Sequence, residues 1–344
     1  MLFLNKGWWK MLARLKTTGM LTKTSLKANP ILIIGAGIAG LSAAHRLAGA
    51  KVPVLLLDKG RGIGGRMATR RTGEATFDHG AQFFSAKTPD FQGFLETAAQ
   101  VGVAREWWPN INDSQHPRWV GASGMNTVPK LLAGTSTVLT NKKVVKIEAV
   151  GDPWQVTTED SGTFFASALI VTIPAPQALE LLKNSSVYLP ENPLSQIKYH
   201  PCLALLATLD GATSIPAPGG LQANRAVVSW LADNFQKGIS KVPSVTIHAS
   251  PEFSQKKIDG NLQSAAAMMF KAVADLIHPA QVVDWQMHRW RYSLAYERHP
   301  MPFFRANTDA PLLFGGDGFG MGNVEGAFVS GLAMANYLLA EGNG

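Results

Sequence analysis

From Ile31 onward the chain alternates short apolar runs with glycine-rich turns. "ILIIG" is a β-branched run that ends in glycine, "LSAAHRLAGA" is rich in small helix-compatible residues, and "VPVLLLDK" is a second apolar run. The pattern predicts strand, turn, helix, strand. "NKKVVKIEAV", "PWQVTTEDSGTFF" and "ALIVTIP" predict three successive strands, and "CLALLATL" and "SVTIHAS" two more. "NLQSAAAMMFKAVADLI" has helical spacing, with Met268, Met269 and Phe270 expected in the core. Near the end, "PLLFGGDGFGMGNVEGAF" repeats the strand, glycine turn and helix of the beginning. The prediction is an α/β chain of about two domains, since domains of this kind run to ~150 residues.

The first glycine turn carries a dinucleotide fingerprint. Gly35 allows a tight turn, Gly37 lets backbone approach a pyrophosphate, and Gly40 lets the helix pack on the sheet. Ile38 and Ala39 open the helix, and Asp58 closes the second strand, where it can accept from ribose hydroxyls. The motif alone leaves FAD and NAD both open. A second loop, from Lys59 through Gly64, Gly65, Arg66 and Met67, adds backbone clearance and a cation that a plain nicotinamide site does not need. In the C-terminal repeat, Gly316 and Asp317 end a strand, and Asn323 is expected to cap a helix that begins with Val324, Glu325 and Ala327. FAD is long enough to need both cradles: one for its adenosine end, one for its flavin end.

Charge changes little in this picture. The formal net charge is +8, from 32 basic and 24 acidic residues. Lys6, Lys10, Arg14, Lys16, Lys23 and Lys27 all precede Ile31 with no acid among them, so the remainder carries 26 − 24 = +2. A nearly neutral body gives no support to nucleic-acid binding. Residues 1–29 are expected to be a disordered basic extension or a targeting segment; an early start codon, with Met20 the true start, is a further reading. No apolar stretch reaches 18 residues, so no membrane span is expected. Cys202 is the single cysteine, expected to be a small buried hydrophobe. The eight histidines show no metal-ligand spacing, and no metal site is expected.

Taken together, "DKGRGIGGRMATR", "FDHGAQFF", "IPAPQALELL", "WRYSLAYE" and "GGDGFGMGNVEGAF" resemble the bacterial renalases, a branch of the flavin amine oxidase superfamily. The resemblance runs from about Ile31 to Leu339. It implies a Rossmann-type FAD-binding domain (residues 30–86, 126–176 and 301–344) and a discontinuous mixed α+β substrate domain (87–125 and 177–300). It implies non-covalent FAD, oxidation of isomeric dihydronicotinamide dinucleotides, and delivery of the electrons to dioxygen. His79, Gly80, Ala81 and Gln82 would line the flavin, with Phe83 standing where the family often has tyrosine. Backbone at Val144 and Val145 would meet adenine, and Pro174 would close the sheet near the flavin. Trp290, Arg291 and Tyr296 offer an aromatic platform beside a cation, suited to a nicotinamide and a diphosphate, or else a structural edge strand. His248 occupies the strand position of the renalase active-site histidine, and with Gln82 completes the candidate catalytic set. An amine oxidase or isoprenoid desaturase on the same scaffold, and a non-catalytic flavin-binding redox sensor, remain alternatives. The cytoplasm is the expected compartment, with organelle targeting by the leader left open. The oligomeric state is not legible.

Overall fold

The computed structural model describes residues 29–108, 116–149, 153–189 and 192–341. The expectations for the basic leader fall outside the described residues.

β1 (Ile31–Ile34) and β2 (Val54–Leu57) flank helix α1 (Ile38–Gly49), as their pattern predicts. With β7 (Thr137–Leu139), β11 (Ala168–Val171), β17 (Phe303–Arg305) and β18 (Leu312–Gly315) they form a six-stranded sheet ordered β17-β18-β11-β1-β2-β7. All neighbours are parallel except β17, which pairs antiparallel at the edge. β1 is an unbroken apolar run because it is buried on both faces. Ile31 and Ile33 pack toward α1 and the C-terminal helix α8 (Asn323–Glu341); Leu32 and Ile34 pack toward helix α4 (Ala175–Lys183) and the meander β8 (Val144–Ala149), β9 (Trp154–Thr158) and β10 (Thr163–Ala166). α8 lies against α1 so closely that a Cβ on Gly331 would fall 2.1 Å from the Ala39 carbonyl oxygen.

A second sheet is antiparallel. It contains β12 (Lys198–Leu209), β13 (Gly220–Gln222), β14 (Val228–Asp233), β15 (Ser244–Ala249) and β16 (Val282–Glu297), ordered β13-β14-β15-β12-β16. One face buries Leu203, Leu205, Val245 and Ile247 against α5 (Pro251–Lys257), α6 (Leu262–Ala272) and the short α7 (Ala274–Ile277). The other face receives a hairpin that follows the second glycine loop, β3 (Thr69–Thr72) and β4 (Ala75–Asp78), with Leu206 against Ala75 and Phe77. The expected long helix is split at Val273, and Met268 is 41% exposed, not core. Ala265, Ala266 and Met269 make the buried stripe, and Met268 falls off it by one position. Cys202 is buried, and burial pushes its thiol up to about 12.

Helix α2 (Pro89–Gln100) and the hairpin β5 (Ala104–Trp108) and β6 (Arg118–Gly121) bury Phe91, Leu95, Trp107 and Val120 in the same cluster as α1 and α8. Among the described residues no helix is long and apolar enough to cross a membrane, and no group of three or more His, Cys, Asp or Glu could hold a metal ion.

Candidate active site

The two glycine loops of the N-terminal unit are stitched together. Gly35 turns at φ 107°, a conformation that favours glycine. Gly64 donates to the Ala36 carbonyl at 2.8 Å and bridges to Gly37. Asp58 accepts from Ala36 N at 2.7 Å through one carboxylate oxygen and from Gly60 N at 2.6 Å through the other. It therefore fastens both loops, while each oxygen keeps a lone pair for a sugar hydroxyl. A Cβ on Gly37 would meet nothing within 4 Å, and Gly37 gives the first turn of α1 no side-chain cap. Open space before uncapped helix amides is what a pyrophosphate requires. Lys59 turns away, donating to Gln177 at 3.0 Å. In β8 the register slips between Val144 and Lys146, making Val145 the extra residue of a bulge, unpaired with β9.

At the other end of the cradle, Arg66 donates both terminal nitrogens to Asp317, each at 2.6 Å. Arg66 also donates to the carbonyls of Tyr292 (3.1 Å) and Ser293 (3.3 Å). Those carbonyls lie in a bulge: one residue of β12, between His200 and Cys202, lies opposite three of β16, between Leu294 and Trp290. Burial acts to lower the Arg66 pKa, but Asp317 more than offsets it and the net direction is up. Tyr199 donates to Asp317 at 3.5 Å, and burial raises its pKa, so the hydroxyl stays protonated. The primary partner of Asp317 is Arg66, so only the further lone pairs of its carboxylate remain for a sugar or ribityl hydroxyl.

The helix after the second cradle differs from expectation in two residues. Asn323 stands at φ 56° and its side chain caps no amide among the described residues, so the first amides of α8 carry no side-chain acceptor from it. Glu325 turns its carboxylate to α2, where one oxygen accepts from Lys87 N, Thr88 N and the Thr88 hydroxyl at 2.6–2.9 Å. Glu325 thus caps α2, leaving Val324 and Ala327 on the half-buried and buried sides of α8.

Between the two units lies an aromatic and imidazole cluster. Strand geometry puts Gln286, His288 and Trp290 on one face of β16. His248 and His288 flank Ala204 in register across three strands, so a small residue separates them. The loop after β4 enters from the other side. His79 stacks on Trp290 with centroids 5.2 Å apart and meets His288 edge-on at 4.7 Å. The His79 carbonyl accepts from Trp290 Nε1 at 2.7 Å and from His248 Nε2 at 3.2 Å. Gly80 must be glycine, because a Cβ there would lie 2.0 Å from the Arg66 carbonyl oxygen, which also accepts from Ala81 N. His79 Nδ1 and Gln82 Oε1 are buried without a hydrogen-bond partner. Two orphan polar atoms beside flat rings fit a bound heterocycle with a polar edge. Burial lowers the His79 pKa from 6.5 to about 3, and His248 and His288 to about 4. All three imidazoles are neutral at neutral pH.

Two other candidates are elsewhere. Arg291 projects from the opposite face of β16 to Trp290 and pairs with Asp259 at 2.7 Å on the surface. Tyr296 lies beyond the bulge, exposed and stacked on His200 at 4.1 Å. The expected platform of Trp290, Arg291 and Tyr296 does not assemble, because strand alternation divides the first two and the bulge removes the third.

The structure adds residues that sequence reasoning missed. Lys237 is fully buried, donating to Asp78 at 2.8 Å and to the Gln82 carbonyl at 2.8 Å, with Trp107 beneath its ammonium at 4.9 Å. Asp78 also accepts from the Thr69 hydroxyl at 2.6 Å and Met125 N at 2.8 Å. The pair holds the loop that carries His79 and Gln82. His288 had a signal, its i, i+2 spacing to Trp290 on a strand. Lys237 had none, since "NFQKG" reads as a solvated turn.

Residues 33–98 match the family model described as NAD(P)-binding Rossmann-like domain, and residues 106–339 that described as flavin containing amine oxidoreductase. The chain is 25% identical over 343 residues to renalase from Mus musculus, covering 90% of this chain and 98% of the relative. It aligns with the structure of wild-type putrescine oxidase bound to putrescine at a TM-score of 0.67 and 14% identity, covering 91% of this chain and 99% of the other. For a CLA-producing fatty acid isomerase from P. acnes the values are 0.66, 12%, 90% and 99%. These two solved proteins are named for different reactions, so their likeness speaks for the fold and not for the chemistry. The family match, the paired glycine loops and the uncapped first turn of α1 agree: the chain belongs to the flavin containing amine oxidoreductase family and is an FAD-dependent oxidoreductase.

Proposed function

We propose that this flavin-dependent oxidase acts on isomeric dihydronicotinamide dinucleotides, non-standard forms of NADH and NADPH, with dioxygen as the final acceptor. The balance is dihydronicotinamide plus O2 plus H⁺ giving the nicotinamide cation plus H2O2. The observation that carries the reading is the absence of a strong base in the cluster: His79 is held at about 3, and His248 and His288 at about 4. Such imidazoles are weak proton acceptors near neutral pH. An amine donor must lose a proton as well as a hydride, whereas a dihydronicotinamide has no proton to shed. Burial lowers the pKa of Lys237, but its Nζ is held by hydrogen bonds to Asp78 and to the Gln82 carbonyl. The 25% identity with renalase supports the same branch of the family.

Bound FAD would supply a two-electron acceptor for the donor's hydride and a route for those electrons to dioxygen. Asp58, Gly37 and the first turn of α1 would hold its adenosine and pyrophosphate; Arg66, Asp317 and the first turn of α8 would hold the other end. Trp290 and His79, 15° from parallel, offer a wall on which a flat ring packs. Residues 30–86, 126–176 and 301–344 form the FAD-binding part of this proposal, with 87–125 and 177–300 covering the donor. The cytoplasm is the compartment proposed.

The test mixes the FAD-loaded enzyme anaerobically with dihydronicotinamide dinucleotides reduced at the wrong ring carbon, with ordinary NADH and with simple amines, and follows flavin absorbance. The isomers should bleach it fastest. Ordinary NADH should be slower by on the order of a hundredfold, the scale on which small misplacements of reacting atoms cost rate. Rapid bleaching by amines alone would promote the amine-oxidase alternative.

A further inference from the structure

We propose that Arg70 selects donors that carry a diphosphate, acting as the cation beside the Trp290 wall; this rests on the reading above. Arg70 lies on β3, paired with Phe77 of β4, and the hairpin crosses the face of β16 that carries Gln286, His288 and Trp290. It donates to Gln286 Oε1 at 3.1 Å and to His288 Nδ1 at 3.4 Å. Both partners are neutral. Gln286 is in turn fixed by donating to the Thr72 hydroxyl at 3.1 Å.

No carboxylate ion-pairs with Arg70 among the described residues, in contrast to three other cations around the site. Arg66 is spent on Asp317, Lys237 on Asp78 and Arg291 on Asp259. Burial lowers the Arg70 pKa, and the second cation Arg61 lowers it further. A guanidinium has five N–H donors, and two are used here. What remains is a half-buried positive charge with free donors and another cation nearby, an arrangement that a dianionic group stabilises through paired hydrogen bonds.

The spacing suits a dinucleotide. Alternate residues of a strand lie about 7 Å apart, so Arg70, anchored at Gln286 and His288, stands one such step from Trp290. His288 meets the Trp290 ring at 4.4 Å, so the cation, imidazole and indole form one continuous surface. A nicotinamide packed on Trp290 would carry its diphosphate one sugar unit away. The geometry thus gives Arg70 the task for which the sequence had nominated Arg291.

The experiment compares two electron donors with the same ring isomer. One is the full dihydronicotinamide adenine dinucleotide, the other the riboside without phosphate. The selectivity, dinucleotide kcat/KM over riboside kcat/KM, is measured for the FAD-loaded wild type, Arg70→Met and Arg70→Lys at low ionic strength. Arg70→Met should lower the selectivity about ten- to hundredfold, mainly through KM, because a site built for a charged fork loses its paired bonds. Arg70→Lys keeps the charge without the fork and should fall between. FAD content and unfolding midpoint check the fold, and if Arg70→Met fails to fold, Arg70→Lys alone decides by a severalfold drop. Unchanged selectivity in the folded variants, or equal losses on both donors, overturns the assignment of Arg70. Failure of the wild type to oxidise either donor overturns the donor assignment itself, and this inference with it.

Discussion

Two ion pairs tie the glycine-rich loops to the rest of the molecule, and they differ in burial. Lys237–Asp78 has no exposed side-chain surface on either partner, whereas Arg66–Asp317 leaves 27% and 10% of its side chains exposed. Each is supplemented by backbone groups: the Gln82 carbonyl and Met125 N for the first, the Tyr292 and Ser293 carbonyls for the second. The sealed pair can only fix the loop of His79 and Gln82. The open pair stands where the second glycine loop meets the second cradle and can still bond a ligand. The same chemistry therefore serves as a structural clamp in one place and, under the proposed function, as a binding surface in the other, and access to solvent decides which.

The sharpest way to break this contrast is Lys237→Ala. It strands the Asp78 carboxylate in the interior, and loss of one partner of a buried pair costs about 3–5 kcal/mol. Denaturant unfolding should show that loss whether or not FAD is bound. The double variant Lys237→Met/Asp78→Asn removes both charges while keeping an acceptor for Met125 N, and should recover more than half of it. An unaltered midpoint for Lys237→Ala would mean that the clamp is not one.

Asp317→Ala should behave differently. Loss of a buried hydrogen-bonding partner costs about 1–3 kcal/mol, here expressed as roughly tenfold or more in FAD affinity. Titration of FAD into apoprotein reads the affinity, and unfolding of the apoprotein should move less than for Lys237→Ala. If the apoprotein is destabilised as much while FAD affinity holds, the open pair is a second clamp.

The smallest effect is expected for Arg291→Ala. Its partner Asp259 is 72% exposed, and surface pairs of this kind are screened. The unfolding midpoint should stay within measurement scatter. A large fall in kcat/KM for the dinucleotide would return the binding role to Arg291 and remove it from Arg70.

The parts whose physics is local can be read from a short stretch of residues. A strand, a glycine at positive φ and a helix follow one another within a few residues, so "ILIIGAGIAG" and "PLLFGGDGFGMGNVEGAF" are legible as strand, turn and helix. The need for glycine at Gly35 is a matter of backbone sterics at one position. What lay beyond it was every pairing across long separations. Lys237 meets Asp78 from 159 residues away, and Arg66 meets Asp317 from 251. A lysine in a polar turn looks solvated until a distant carboxylate and carbonyl accept its hydrogen bonds. Strand alternation, itself simple, sent Arg291 outward only because the tertiary structure set Trp290 inward, and it brought Arg70 to the same wall from another hairpin. The row of His248, Ala204 and His288 exists only through the register of three strands. Local sterics fix each strand, glycine turn and helix, whereas charge compensation and strand register are properties of the assembled chain, so which cations pair with carboxylates follows from contacts that no short stretch of sequence contains.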